Sequence, residues 1–283
     1  MPNPTGYYRP RTIDEAVQLL SQPYIKTALL SGGALRLATD DLPYEALIDV
    51  QAIEGLSSIV SMPDGVLAVG AATSLEAVVR WPEVPALLRD TLRRCLTWNR
   101  RNAISIAELV EYPEALPEAI AALLALDVTL VFAMPEERRI RLQDLQQSVS
   151  QPRLPEKGLI VRFEFAATNP WQTWGQAHVA RTPADTAIVS AAAVLIVDNS
   201  GTVAQARIAL SGVWDVPARL AEGASVALTG RLLDAAAIAR AIAALNDEIA
   251  PVADYRGSVA YRRAMAGVVT RRALEACQAR LAG

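Results

Sequence analysis

Two strand-like runs in this chain each end in a turn made of small residues, and that arrangement restricts the fold more than any other feature. Residues 27–30 empty into Ser31-Gly32-Gly33, and residues 66–69 into Gly70-Ala71-Ala72-Thr73-Ser74, before helical spacing begins near Ala34 and at Leu75. Glycine adopts positive φ freely, and without a Cβ it lets backbone N–H groups close on a phosphate, so a turn of this kind has phosphate-cradle geometry. The same Gly-Gly pair also serves as a plain turn. Neither G-x-x-x-x-G-K-[ST] nor a strand-linked G-x-G-x-x-G occurs in the chain.

Around these turns the pattern mixes helices and strands. Thr12-Ile13-Asp14-Glu15 predicts a helix start with acids in its first turn, followed by an apolar face of Ala16, Val17, Leu19 and Leu20. Residues 47–50 read as a short buried strand, and residues 58–62 and 66–69 as a hairpin across Pro63-Asp64-Gly65. Helices are expected over 75–81, 85–96 and 117–126, with a loop between the last two and a strand at 128–132. From 151 to 182 only the strand 159–165 stands out, so a domain border is placed near residue 168. Beyond it come strands at 187–197 and 203–210 and alanine-rich helices at 235–245 and 259–280. The last helix carries Arg262, Arg263, Arg271, Arg272 and Arg280, read as a solvated face.

With 283 residues, two domains of ordinary size are expected. A net charge of -3 offers no electrostatic footprint for nucleic acid. The two cysteines, Cys95 and Cys277, lie far apart in helix-like stretches, which argues against a disulfide framework and for a reducing compartment. The longest apolar run, 119–134, is too short for a membrane span and is broken by Asp127, so the expected location is cytoplasmic. His178, the single histidine, has no Ser or Cys partner in a nucleophile motif and reads as a surface residue, and no cluster has metal-ligand spacing.

Read in order, these segments resemble the FAD-binding medium subunit of the molybdenum hydroxylases, the xanthine dehydrogenase and carbon monoxide dehydrogenase family, almost end to end. Tyr8-Arg9-Pro10 with Asp14-Glu15-Ala16 is similar to the family's opening, Leu30-Ser31-Gly32-Gly33-Ala34-x-x-Leu37 region to its first flavin loop, Leu47-Ile48-Asp49-Val50 to the next strand, and Val69-Gly70-Ala71-Ala72-Thr73 to its second loop. Asp254-Tyr255-Arg256-Gly257-Ser258 with Tyr261-Arg262 resembles the signature of the C-terminal domain, with Arg256 as a loop clamp and Tyr261 as a helix-start anchor. Residues 208–213 are similar to its hairpin return.

The third flavin motif departs from the pattern. Where the family has R-N-x-x-T-I-G-G-N, this chain has Arg101-Asn102-Ala103-Ile104-Ser105-Ile106-Ala107-Glu108-Leu109, so Ala107, Glu108 and Leu109 replace G-G-N. Glu118 falls where an aspartate is usual, and Ala34 replaces the usual threonine of the first loop. A Glu108 carboxylate about 4 Å from a pyrophosphate charge costs about 4 kcal/mol at an effective dielectric of about 20, close to a thousandfold in affinity.

What the resemblance implies is an α+β protein. A two-subdomain FAD-binding domain of the vanillyl-alcohol-oxidase/PCMH type would cover 1–168, split near 57. A C-terminal domain of the CO dehydrogenase flavoprotein kind, with a small antiparallel sheet and packed helices, would cover 169–283. FAD would lie on Leu30, Ser31, Gly32, Gly33, Ala34 and Leu35, on Gly70, Ala71 and Thr73, on Asn102, Ser105, Ile106, Ala107 and Glu108, and near Glu118, with no catalytic residue and no metal on this chain. The molybdenum cofactor would sit on a large partner subunit and the iron–sulfur centres on a small one. The function implied is an electron-transfer subunit passing electrons from those centres to an external acceptor, with the redox chemistry supplied by the flavin. Ala107, Glu108 and Leu109 motivate the alternative, a flavin-free relative retained as a structural or assembly partner of a molybdenum enzyme. A stand-alone flavin oxidase with a covalent anchor is the third possibility, and Cys95 and His178 match no anchor motif.

Overall fold

The computed structural model describes every residue except 1–3, 23–24, 36–43, 134–135, 147–157, 168, 183–184 and 283. In chain order the elements are β1 (Gly6–Tyr8), α1 (Ile13–Leu20), β2 (Thr27–Leu30), β3 (Ala46–Asp49), β4 (Ile59–Ser61), β5 (Leu67–Gly70), α2 (Leu75–Arg80), α3 (Ala86–Cys95), α4 (Trp98–Ala103), α5 (Ile106–Glu111) and α6 (Pro117–Ala125). They continue with β6 (Thr129–Ala133), β7 (Arg138–Arg141), α7 (Leu142–Gln146), β8 (Leu159–Phe165), β9 (Gln172–Val179), β10 (Val189–Val197), β11 (Val203–Ser211), β12 (Ala218–Leu220), α8 (Glu222–Leu228), α9 (Ala235–Glu248) and α10 (Val259–Ala282). The class is α+β, as expected from the sequence. The helix expected to begin at Ala34 runs into residues outside the described set.

The chain forms two compact units. The first comprises Met1–Val84, Leu96–Ala115 and Val128–Ala167, and the second Pro85–Cys95, Leu116–Asp127 and Thr168–Gly283. The first unit carries a parallel sheet in the order β1-β3-β2 and an antiparallel sheet in the order β4-β5-β8-β6-β7. Helix α1 is capped by Thr12, whose hydroxyl accepts from the Glu15 N–H at 3.2 Å, a contact typically worth about 1 kcal/mol. Ala16 of this helix joins Ile48, Val50, Ile53, Leu56, Ala72 and Val131 in one buried cluster. Because that cluster takes side chains from both sheets, it ties the turn after β2 and the turn after β5 to a common core. The expected hairpin is present as β4 and β5, with Ile59 opposite Val69 and Ser61 opposite Leu67.

In the second unit the antiparallel order is β12-β11-β10-β9. Every residue of β10 except Ile196 is buried, because both α10 and α6 pack on this strand. Such cover explains a continuous apolar run in place of alternation. Helix α6 is buried from Glu118 through Ala125. A helix apolar on all sides needs cover all round, and α6 finds it among α3, β10, β11 and β12. These partners place α6 in the second unit although its position in the chain is early.

Several segments differ from the sequence reading. The loop expected between residues 96 and 117 contains α4 and α5, and the signal for α5 was present: Ser105-Ile106-Ala107-Glu108 is an S-x-x-E capping box, with both of its hydrogen bonds formed. The stretch before residue 182 holds β9, whose polar and glycine residues hide a strand that is stabilised by pairing with β10 and by packing of α10. The short elements β1, β7, α7, β12 and α8 fall below what periodicity detects. Arg262 is not on a solvated face. It is 4% exposed and donates to the Ile188 and Gly212 carbonyl oxygens at 2.6 and 2.9 Å and to Asp254 at 2.5 Å. The clamp is therefore Arg262, while Arg256 donates to Asp254 at 2.9 Å and lies over the Tyr255 ring, and the Tyr261 side chain is exposed.

Candidate functional site

The first glycine turn follows β2 and lies against the start of α5. Leu30, Ser31 and Leu35 are buried, and Gly33 has φ 92, a left-handed conformation that favours glycine. Gly32 is needed for a different reason: a Cβ there would run into Glu108 Oε2 and lie 2.7 Å from the Ser105 nitrogen. The Ser105 hydroxyl donates to Ser31 Oγ at 2.8 Å, and Gln51 Nε2 donates to the Gly32 carbonyl at 3.3 Å. Ser31, Gly32, Gly33, Ala34, Gln51, Ala72, Ser74, Asn102, Ala103, Ile104 and Ser105 line a cavity of about 390 Å³. Residues of all three expected loops, with Ala72 and Ser74 from the second, thus line one cavity, and Gln51 is a lining residue that no sequence signal marked.

Glu108 sits at the centre of this meeting. Its carboxylate is 1% exposed, accepts the Leu35 N–H on Oε1 at 2.8 Å and accepts the Ser105 N–H on Oε2 at 2.9 Å. The sequence places Ser105, Ile106, Ala107 and Glu108 in a loop. They are the cap and first turn of α5, with Ile106 N–H donating to Thr73 O at 2.9 Å and Ala107 N–H to Ala71 O at 3.1 Å. The second expected loop is equally occupied with its own neighbours: Gly70, Ala71, Ala72 and Thr73 donate their N–H groups to Ser58, Val161, Leu56 and Gly70 carbonyls at 2.8, 3.1, 2.8 and 3.0 Å. A Cβ at Gly70 would collide with the Leu56 carbonyl, so that glycine admits a neighbouring backbone. It does not open the turn to a ligand.

Other residues of the third motif act as struts. Arg101 donates to Glu76 at 2.7 Å and to the Leu96 carbonyl at 2.6 Å, tying α4 to α2. The Glu76 carboxyl is lowered by hydrogen bonds first from Arg101 and then from Arg80. Asn102 lines the cavity, and its amide donates to Trp98 O at 2.9 Å.

Glu118 lies outside the first unit. It belongs to the second unit, where its carboxylate accepts from Ala187 N–H at 2.8 Å, Arg94 at 3.3 Å and the Cys95 thiol at 3.0 Å. All three partners lie in that same unit. Burial there, with Glu118 beside it, pushes the Cys95 thiol well up. His178 is partly buried, and burial followed by the positive charge of Arg94 lowers its pKa. Among the described residues no group of three His, Cys, Asp or Glu is arranged to hold a metal ion, and no helix is long and apolar enough to cross a membrane.

This fold is that of the medium subunits of the molybdenum hydroxylases, and comparison with known proteins bears the family out. Residues 3–166 match the FAD binding domain in molybdopterin dehydrogenase, and residues 176–277 match the CO dehydrogenase flavoprotein C-terminal domain, so the chain belongs to this family. It is 28% identical over 283 residues to the carbon monoxide dehydrogenase medium chain of Hydrogenophaga pseudoflava, covering 98% of each chain. It is also 28% identical over 273 residues to the uncharacterised protein YgfM of Escherichia coli, covering 96% of each. Among solved structures, the carbon monoxide dehydrogenase of Hydrogenophaga pseudoflava lacking the Mo-pyranopterin moiety superposes with a TM-score of 0.87 at 28% identity over 99% of each chain. Quinoline 2-oxidoreductase of Pseudomonas putida gives 0.85 at 25% identity over 97% of each.

Many of the loop N–H groups that the family resemblance would turn toward FAD already have partners in this chain, while Gly32, Gly33 and Ala34 line the cavity. A dinucleotide's phosphates need N–H donors that face an open groove. Here Leu35 and Ser105 direct theirs to Glu108, and residues 70–73, 106 and 107 direct theirs to backbone carbonyls.

Proposed function

We propose that this chain is the medium subunit of a cytoplasmic molybdenum-hydroxylase assembly, standing with a molybdenum-cofactor large subunit and an iron–sulfur small subunit, and that it serves that assembly as a structural partner without carrying FAD. The observation that carries this reading is the buried Glu108 carboxylate, hydrogen-bonded at 2.8 and 2.9 Å to the N–H groups of Leu35 and Ser105. A phosphate brought to the same donors would meet a carboxylate within about 4 Å, a cost of about 4 kcal/mol at an effective dielectric of about 20. The full-length match to medium chains supports the assembly role, because that match extends through the C-terminal domain at 176–277 as well as the flavin domain. We retain residue 168 as the division between the two sequence domains.

The chain purified from its native host, with its interacting proteins, tests the reading. The expected result is recovery of a large and a small subunit together with a medium subunit free of visible flavin absorbance. Recovery of neither partner refutes the assembly role. A second reading, an FAD-binding subunit passing electrons from partner iron–sulfur centres to an external acceptor, is favoured by the retained Gly32-Gly33 turn and the cavity of about 390 Å³ beside it. Stoichiometric yellow flavin on the native protein selects it.

A further inference from the structure

A capping box explains half of what Glu108 does. Its contact with the Ser105 N–H, three residues back, is the ordinary reciprocal arrangement at a helix start. It does not explain the contact of Oε1 with Leu35, 73 residues away, the nearly complete burial of the side chain, or Gly32, where any Cβ would strike the other carboxylate oxygen, Oε2. The carboxylate is as much a part of the first loop as of its own helix. A surface capping residue would leave its second oxygen to water, whereas here each oxygen is matched by one N–H donor from a different loop.

We infer that Glu108 is a resident anion: its carboxylate occupies the place where these two loops would grip a phosphate, so that removing it uncovers a latent diphosphate site in this chain. The inference rests on the flavin-free reading for its starting point, and it adds that the cradle is closed by one side chain, not dismantled. The Ser105–Ser31 hydroxyl contact, the left-handed Gly33 and the cavity lined by Gly32, Gly33 and Asn102 all persist around the carboxylate. They supply donors and space that no longer serve a ligand.

The test uses the full-length chain as wild type, E108A and E108S, titrated calorimetrically with inorganic pyrophosphate and with FAD and followed by thermal unfolding. Wild type is expected to bind neither and to show no shift in Tm with pyrophosphate. E108A, which leaves Leu35 and Ser105 N–H groups unpaired, is expected to bind pyrophosphate tighter than wild type by up to about a thousandfold, the factor set by charge repulsion, and to regain stability when it is added. The triple variant A107G/E108G/L109N is expected to take up FAD with quenching of flavin fluorescence. If E108A does not fold, E108S decides: the shorter side chain vacates the place of the carboxylate and must bind pyrophosphate at least about tenfold tighter than wild type, a difference of about 1.4 kcal/mol. Equal affinity in wild type and the folded variant overturns the inference, as does a folded E108A that ignores pyrophosphate. Capture of partner subunits by wild type is a separate readout, so failure here and failure of the assembly reading are distinguishable.

Discussion

Arg262→Ala should unfold the second unit far more readily than any surface arginine substitution. The guanidinium is 4% exposed and is the shared partner of the Ile188 carbonyl at 2.6 Å, the Gly212 carbonyl at 2.9 Å and the Gly257 carbonyl at 3.3 Å. Each buried carbonyl left without a donor costs about 1–3 kcal/mol. The Asp254 partner, at 2.5 Å, adds less, because its side chain is 31% exposed and keeps the Arg256 side chain and two backbone N–H groups. The buried Ile188 carbonyl and the part-buried Gly212 carbonyl, which have the shorter contacts, therefore dominate, and a total of about 3–5 kcal/mol is expected. With a urea m-value of about 2 kcal/mol/M, the midpoint should fall by about 2 M. Urea titration followed by far-UV circular dichroism and by tryptophan fluorescence, to which the largely buried Trp214 of this unit contributes, measures it. Arg262→Lys should recover only part of the loss, since a single ammonium cannot span two carbonyls and a carboxylate. A midpoint shift under about 0.5 M in the alanine variant would refute the clamp argument.

Three further outcomes follow from the same geometry. Gly175→Ala places a Cβ against the Ala273 carbonyl oxygen and 2.9 Å from its carbon. Backbone atoms cannot yield as a flexible side chain does, so β9 and α10 must separate, with a loss of about 1–3 kcal/mol in thermal or urea unfolding, and an unchanged Tm would show that the helix slides without cost. Burial works against ionisation of Asp254, but the hydrogen bonds from Arg262, Arg256 and Gly257 outweigh it and hold the carboxyl well below its usual range. A lowered folded pKa gives stability that is present above the unfolded value of about 3.9 and lost as pH falls below it. The Tm gap between wild type and Asp254→Asn should therefore narrow from about pH 5 downward, and a gap independent of pH contradicts the assignment. Burial first, with Glu118 adding to it, raises the Cys95 thiol, and burial raises Cys277 to about 12. Neither should react with a thiol reagent at about pH 8 until urea is added, and rapid labelling of the folded chain would show that the buried environment opens.

The family was legible in local motifs, because turns and caps depend on a few adjacent residues. Ser31-Gly32-Gly33, Leu47-Ile48-Asp49-Val50 and Asp254-Tyr255-Arg256-Gly257-Ser258 lie in short segments where φ, a capping hydroxyl or a strand edge fixes the residue type. The substitution at position 108 was equally visible, and so was the charge it brings. Its destination was not: the Leu35 N–H is 73 residues away from Glu108, and a three-residue capping pattern contains no information about a donor so distant. The sequence also misled on Arg262, since helical spacing places it among other arginines. Only the packing of α10 shows which of them points into the protein.

Glu118 and α6 make the same division. The uniformly apolar stretch after Glu118 demanded full burial, and the sequence alone determined that a helix there could not face water. Which sheet would cover it was decided by tertiary structure, where α6 packs with α3, β10, β11 and β12. Local chemistry determined the turns, the caps, the alternation of strands and the presence of a carboxylate in the third motif. The tertiary fold decided where that carboxylate's two oxygens find their donors, because hydrogen bonds between loops far apart in the chain exist only once a shared core brings them together.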